Sequence, residues 1–105
     1  MLMSVSTALE NSELKLESEG IRKLASLYHA IDHPTRLAIM KLIHAHEAMS
    51  VMEISDKMRL DKEIVSQQLG ILRRAELVYS IPRSRFRYYS LNYKILFRLN
   101  YRFDP

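Results

Sequence analysis

The polar side chains between positions 62 and 68 carry the hydrogen-bonding groups that read base edges in the major groove of DNA. A glutamine carboxamide can form two hydrogen bonds with adenine, and a lysine ammonium can donate to N7 and O6 of guanine. A glutamate can accept from N4 of cytosine, although an acidic residue here equally suits the positive end of a helix dipole. The predicted base-reading residues are Lys62, Glu63, Ser66, Gln67 and Gln68.

Residues 60–72 predict the helix that would present these side chains. Apolar residues spaced i, i+4 and i+7 fall on one stripe of such a helix; they are Val65, Leu69 and Leu72. Gln67 falls on the opposite stripe, and Asp61 stands at the N-cap position. A solvated surface helix without a partner would show the same pattern, so the surrounding chain must decide between the two interpretations.

Basic residues form a second candidate group. The formal net charge is +4, and residues 77–103 contain no acidic residue. Such a basic half indicates an anionic partner, the alternative being a solvated face without one. Arginines around a predicted turn suit phosphate contact or insertion into the minor groove. The residues predicted to contact the DNA backbone are Ser50, Arg73, Arg74, Arg83, Arg85 and Arg87.

Composition excludes several other classes of protein. The chain of 105 residues predicts one domain, and the absence of cysteine excludes disulfides and thiolate metal sites. No catalytic triad, paired carboxylates or phosphate-binding glycine loop is visible, so neither an enzyme nor a cofactor is expected. His29, His46 and Glu47 allow a zinc site as a weaker alternative, and no metal is predicted. Without a signal sequence or a membrane-spanning run, we expect a cytoplasmic protein that does not bind membranes.

The terminal segments predict dimerisation helices, with residues 1–8 frayed. Residues 9–31 show helical periodicity, which Gly20 interrupts, so either a bend or two shorter helices would fit. Residues 93–103 predict a last helix. A chain of this length has limited core to cover both apolar stripes, which favours packing against a second copy. The predicted interface residues are Leu14, Ile21, Leu24, Tyr28, Tyr93, Leu96, Phe97 and Tyr101.

The middle of the chain predicts a winged helix-turn-helix domain. A central buried helix is expected from 34 to 44, followed by a capping box, S-x-x-E, that opens a short helix at Ser50. The helix-turn-helix would span 50–74. Residues 77–91 predict a β-hairpin, the wing, with its turn at 82–84. The fold class is therefore mainly α with a small β-hairpin.

Three motifs resemble ArsR-type bacterial transcription regulators. Residues 30–39, AIDHPTRLAI, are similar to the signature A-x-x-H-P-T-R-L-x-I. Residues 65–73, VSQQLGILR, resemble the recognition helix V-S-x-x-L-x-x-L-R, and residues 87–91, RYYSL, resemble the end of the wing. The resemblance covers about 24–91 and implies a homodimeric repressor that binds a roughly palindromic operator in double-stranded DNA. Many members of the family are released from DNA by a metal ion or another signal.

The departures from this pattern concern the residues that bind the releasing metal ion in the family, and the turns around the wing. The helix before the recognition helix lacks the family's cysteine ligands, and the last helix has no aspartate or histidine ligand before Asp104. Glu76 and Ser84 stand where the family usually has glycine. We therefore predict a repressor without the usual metal sites and with an unknown effector. The alternatives are a repressor released by a non-metal small ligand and a winged-helix module that binds a protein and not DNA.

Overall fold

The predicted fold class is confirmed by the computed structural model, which describes the backbone of residues 5–103 and the side chains of residues 18–103. A three-stranded antiparallel sheet has the order β1-β3-β2, and its first strand was not predicted. The elements are α1 (Val5–Ile31), α2 (Pro34–His46), β1 (Met49–Ser50), α3 (Val51–Met58), α4 (Lys62–Arg74), β2 (Val78–Arg83), β3 (Phe86–Leu91) and α5 (Tyr93–Arg98).

Helix α1 is continuous through Gly20, so neither a break nor a second helix is present there. A glycine in a helix interior costs about 1 kcal/mol relative to alanine, which is too little to end a helix of this length. The predicted fraying of residues 1–8 is wrong for 5–8, which are helical. Residues 1–4, and the side chain of Leu14, lie outside the described part of the chain.

The central helix α2 is buried as predicted, although it ends two residues later, at His46. Its side chains at Ile39, Met40 and Ile43 are fully buried. They share one core with the apolar stripe of α4 and with the first residues of the wing. Because this core fixes α4 from behind, the opposite side of α4 is presented on a rigid support.

The capping box that begins α3 is confirmed. The Ser50 hydroxyl accepts from the Glu53 amide at 3.2 Å, and the Glu53 carboxylate accepts from the Ser50 amide at 3.0 Å. Helix α3 ends at Met58, and its C-cap residue Arg59 has a left-handed φ of 55°. The hydroxyl of the buried Ser55 donates to the Leu60 carbonyl, which stabilises the turn into α4. These local contacts form the helix-turn-helix.

Helix α5 ends at Arg98, so the predicted helix to 103 is wrong. Asn100 has a left-handed φ of 54°, and its amide donates to the Phe97 carbonyl at 3.0 Å. The Tyr101 amide donates to the Leu96 carbonyl at 2.9 Å, which completes a Schellman ending. Asparagine adopts this conformation more readily than other side chains do. Leu96, within α5, lies in the core at 2% exposure, so the structure contradicts its predicted interface role.

The wing turn is shifted from its predicted position at 82–84. Strand β2 continues through Pro82 to Arg83, and the turn is formed by Ser84 and Arg85. Proline lacks an amide hydrogen and is tolerated here because β2 is an outer strand of the sheet. Ser84 has a φ of 61°, the conformation that favours glycine in tight hairpin turns.

The end of α4 stores backbone strain that a substitution should relieve. Glu76 has a φ of 61° within a second Schellman ending, in which the Leu77 amide donates to the Leu72 carbonyl at 2.9 Å. Because glycine adopts this conformation without the penalty of a Cβ atom, we expect Glu76→Gly to stabilise the fold by about 1 kcal/mol. Thermal denaturation at fixed protein concentration should show a rise in Tm of about 4 °C.

The matched control for this prediction is Glu76→Ala, which removes the carboxylate and keeps the left-handed penalty. Its Tm should not rise. An equal rise in both variants would show that the side-chain charge, and not the backbone conformation, destabilises this position.

Candidate nucleic-acid interface

Helix α4 divides into a buried and an exposed side, as its sequence pattern predicts. Val65, Leu69 and Leu72 are fully buried in the core. Four of the five candidate base-reading side chains are exposed on the other side; they are Lys62, Glu63, Ser66 and Gln67. Asp61 is the N-cap residue, but its side chain makes no capping hydrogen bond. The exposed row combines donors and acceptors on a helix whose position is fixed by packing.

Gln68 differs from the other four candidates because it is half-buried and already has a partner. Its side-chain oxygen accepts a hydrogen bond from the guanidinium of Arg36 at 2.9 Å. Sequence reasoning placed Arg36 only in the family signature and missed this contact. A charged side chain directly before the apolar run 37–40 of the central helix was the available signal that it has a buried partner.

The candidate residues near the ends of the helix-turn-helix are not equally free to contact a DNA phosphate. Ser50 is buried, and its hydroxyl accepts from the start of α3, so the structure does not favour its predicted phosphate contact. Arg73 and Arg74 are exposed in the last turn of α4. The Arg74 guanidinium lies against Gly70, since a Cβ atom built there would be 3.4 Å from Nη1. Gly70 therefore faces a side chain of its own helix.

The three wing arginines are all exposed, but they do not form one cluster. The Arg83 guanidinium lies 5.0 Å from the ring centre of Tyr88, a cation–π contact. Arg87 donates to the Ser80 hydroxyl at 2.9 Å. In the strand register Arg83 and Arg87 belong to neighbouring positions of the hairpin, so their side chains lie on opposite faces. Arg85 is in the turn itself, where phosphate can approach it most freely.

A second set of exposed apolar side chains lies on α1 and α5. We call it the terminal apolar surface and define it as Ile21, Leu24, Tyr28, Tyr93 and Phe97, all of them predicted interface residues. Phe97 is 84% exposed and Ile21 is 66% exposed, which is unusual for large apolar side chains. Tyr101, by contrast, is half-buried against the core.

The tyrosines of the terminal apolar surface are held at their polar ends. The Tyr28 hydroxyl donates to the Leu99 carbonyl at 3.3 Å. The Tyr93 hydroxyl lies 2.7 Å from Nδ1 of His44, which is a partner that sequence reasoning missed. Burial, and secondarily the negative charge of Glu47, raises the pKa of Tyr93, so its phenol remains neutral. Their rings thus present apolar faces while the hydroxyls are satisfied.

Within the described side chains, 18–103, no three or more histidine and acidic residues are close enough together to hold a metal ion. His46, one of the residues considered for zinc, has its Nδ1 2.9 Å from the Leu42 carbonyl. Over the same part of the chain, no helix combines the length and the apolar character needed to cross a membrane.

Comparisons with known proteins agree with this geometry. A family model described as a helix-turn-helix domain matches residues 31–80. The transcriptional repressor SdpR of Bacillus subtilis is 32% identical over 71 residues, which cover 68% of this chain and 78% of that protein. Residues 31–80, which the family model matches, include most of the core, the helix-turn-helix and the first part of the wing.

Solved structures extend the similarity to 79–81% of this chain. The transcriptional repressor PagR of Bacillus anthracis is 28% identical with a TM-score of 0.66, covering 79% of this chain and 99% of PagR. Reduced HlyU of Vibrio cholerae is 26% identical with a TM-score of 0.66, covering 81% and 96% of the two chains. These relatives are regulators and not enzymes, as predicted for this chain. The chain belongs to the ArsR-type family of helix-turn-helix transcriptional regulators.

Proposed function

We propose that the protein is a homodimeric cytoplasmic repressor that binds a roughly palindromic operator in double-stranded DNA. Each subunit places α4 in a major groove and its wing on the flanking backbone. The observation that carries this proposal is the exposed row of base-reading groups on α4, held from behind by a fully buried stripe. SdpR and PagR are both named transcriptional repressors, which supports repression and not activation as the function.

The shape of the subunit supports the homodimer. Its radius of gyration is 18.5 Å, whereas a compact chain of this length would have about 13 Å. The excess agrees with the length of α1, whose 27 residues extend over about 40 Å; the terminal apolar surface on α1 and α5 is uncovered in one copy. A two-fold dimer would bury that surface against itself and give the complex the symmetry of a palindromic operator.

Selection of bound DNA from a random pool tests the proposal directly. We expect enrichment of two inverted half-sites whose centres are about one helical turn, or a multiple of it, apart. Enrichment of a single asymmetric site would contradict the homodimer. No binding to any DNA would contradict the proposal as a whole and favour the protein-binding module.

The wing arginine in the turn should contribute affinity without sequence preference. Arg85 is exposed in the wing turn. If it contacts the DNA backbone as proposed, Arg85→Ala should weaken operator and mixed-sequence DNA by the same factor. It should also make the log–log salt dependence of binding shallower by about 0.9 for each phosphate contact removed. Fluorescence anisotropy titrations at several salt concentrations measure both effects.

The matched control for Arg85→Ala is Arg22→Ala, which removes the same charge from exposed α1. Its salt dependence should equal that of the wild type. If Arg85→Ala leaves the slope unchanged, or weakens only the operator, the wing does not bind phosphate through this residue.

A further inference from the structure

The guanidinium of Arg36 is buried behind the recognition helix, at 6% exposure. Its Nε donates to the Ala30 carbonyl at 2.6 Å and its Nη2 to the His29 carbonyl at 3.3 Å. Both carbonyls belong to the last turn of α1. Its Nη1 donates to Oε1 of Gln68 at 2.9 Å. Arg36 thus joins the end of α1 to a side chain of α4.

This contact fixes which end of the Gln68 carboxamide is free. A guanidinium has five N–H donors and no acceptor, so the atom that faces it must be the carbonyl oxygen and not the amide nitrogen. A bond between neutral groups would leave both orientations open. Within residues 18–103, the remaining polar group of Gln68 is an Nε2 with two N–H donors that make no hydrogen bond.

The burial of Arg36 needs an explanation beyond stability. Its partners within the described residues are three oxygens of uncharged groups, and none is a carboxylate. Taking a guanidinium out of water without a counter-ion is costly, and its bonds to the carbonyls at the end of α1 offset part of that cost. The arrangement is explained if the charge serves to hold Gln68.

We propose that Arg36 is a positioning residue for base recognition, and that Gln68 reads its base as a donor through Nε2. This inference rests on the proposed DNA-binding function. A free glutamine uses its oxygen and its nitrogen together to select adenine. Since one lone pair of the Gln68 oxygen is engaged and the oxygen is turned toward Arg36, the base position of Gln68 should favour guanine, which presents two acceptors, N7 and O6, in the major groove. Cytosine, which presents a donor there, should be the least favoured base.

The test compares the base preference at every operator position for the wild type and its variants. Gln68→Ala should lose about tenfold preference at one base pair in each half-site. Arg36→Lys keeps the charge but removes the planar guanidinium that bonds α1 and Gln68 at the same time. It should lose most of that preference at the same base pair. The double variant should lose no more than the larger single loss, because the two residues act as one unit. Gln67→Ala, the matched control, should change a different base pair.

Gln68→Glu separates the role of Gln68 in base recognition from its role in packing against Arg36. Its carboxylate still accepts from Arg36, so the fold is retained, but the donor is lost. We expect the preference to move from guanine toward cytosine, whose N4 can donate to the carboxylate. This variant keeps the proposal testable even if Arg36→Lys does not fold.

Three results would overturn the inference. They are selection of adenine at the Gln68 position by the wild type, an unchanged base preference in Gln68→Glu, and an even loss of affinity at all positions in Arg36→Lys. A wild type with no base preference anywhere would instead contradict the proposed function itself, so the two failures are distinguishable.

Discussion

Ile21→Glu is expected to leave the protein monomeric and to lower its operator affinity by at least about 100-fold. Ile21 is 66% exposed in one subunit and belongs to the terminal apolar surface. In a two-fold dimer each copy would bury a glutamate without a partner, and an uncompensated buried charge costs about 3–5 kcal/mol. Every 1.4 kcal/mol is about a tenfold change in an equilibrium constant. Without the dimer, the second half-site no longer contributes to affinity.

Sedimentation equilibrium measures the first effect, because the chain mass is 12.4 kDa and the wild type should have twice that mass. Circular dichroism checks that the variant is folded, and titration with operator DNA measures the second effect. Arg22→Ala is the matched control, since it also lowers the net charge of +4 by one on the same exposed helix. A dimeric Ile21→Glu variant, or a monomeric Arg22→Ala variant, would refute the assignment of this surface.

Gln67→Ala is expected to reduce the preference for the operator over mixed-sequence DNA by about 30-fold or more. Gln67 is exposed on α4 and, unlike Gln68, is not engaged by another side chain among residues 18–103. A well-placed bidentate contact to a base contributes about 1–3 kcal/mol of discrimination, and a dimer makes it in both half-sites. Alanine is the best helix former, so the position should remain helical.

Competition titrations at one fixed salt concentration provide the measurement. Affinity for mixed-sequence DNA should remain near the wild-type value, because the phosphate contacts are intact. Arg85→Ala provides the contrast, since it should weaken both kinds of DNA equally. If Gln67→Ala weakens mixed-sequence DNA as much as it weakens the operator, Gln67 contacts the backbone and does not read a base.

The parts of the fold that depend on local pattern were predictable from the sequence. Burial of Val65, Leu69 and Leu72 follows from helical periodicity alone. The capping box at Ser50 and Glu53 involves residues only three positions apart, so its spacing is a sufficient signal. The position of the exposed row of candidate base-reading residues follows from the same periodicity, because it is the opposite side of that helix.

The errors arose where contacts distant in sequence decide the conformation. Apolar residues continue to Phe103 with helical spacing, but Phe103 stacks on His44, with ring centres 4.5 Å apart, and the chain turns at Asn100. The bond between Arg36 and Gln68 joins residues 32 positions apart, and no local pattern encodes it. Local sequence pattern therefore does not show which side chains of such a helix are free to contact a base. That depends on the residues that pack behind the helix.

The placement of Pro82 has a consequence for how the protein behaves at high concentration. A hairpin that carries exposed Tyr79, Ile81 and Phe86 would ordinarily be a template for strand addition by a neighbouring molecule. The outer strand has Pro82 near its end, which removes one of the amides that an incoming strand needs, and the opposite edge, β1, is only two residues long. Both edges of the sheet thus resist intermolecular β-pairing. The wing can keep an aromatic outer surface without becoming a nucleus for aggregation.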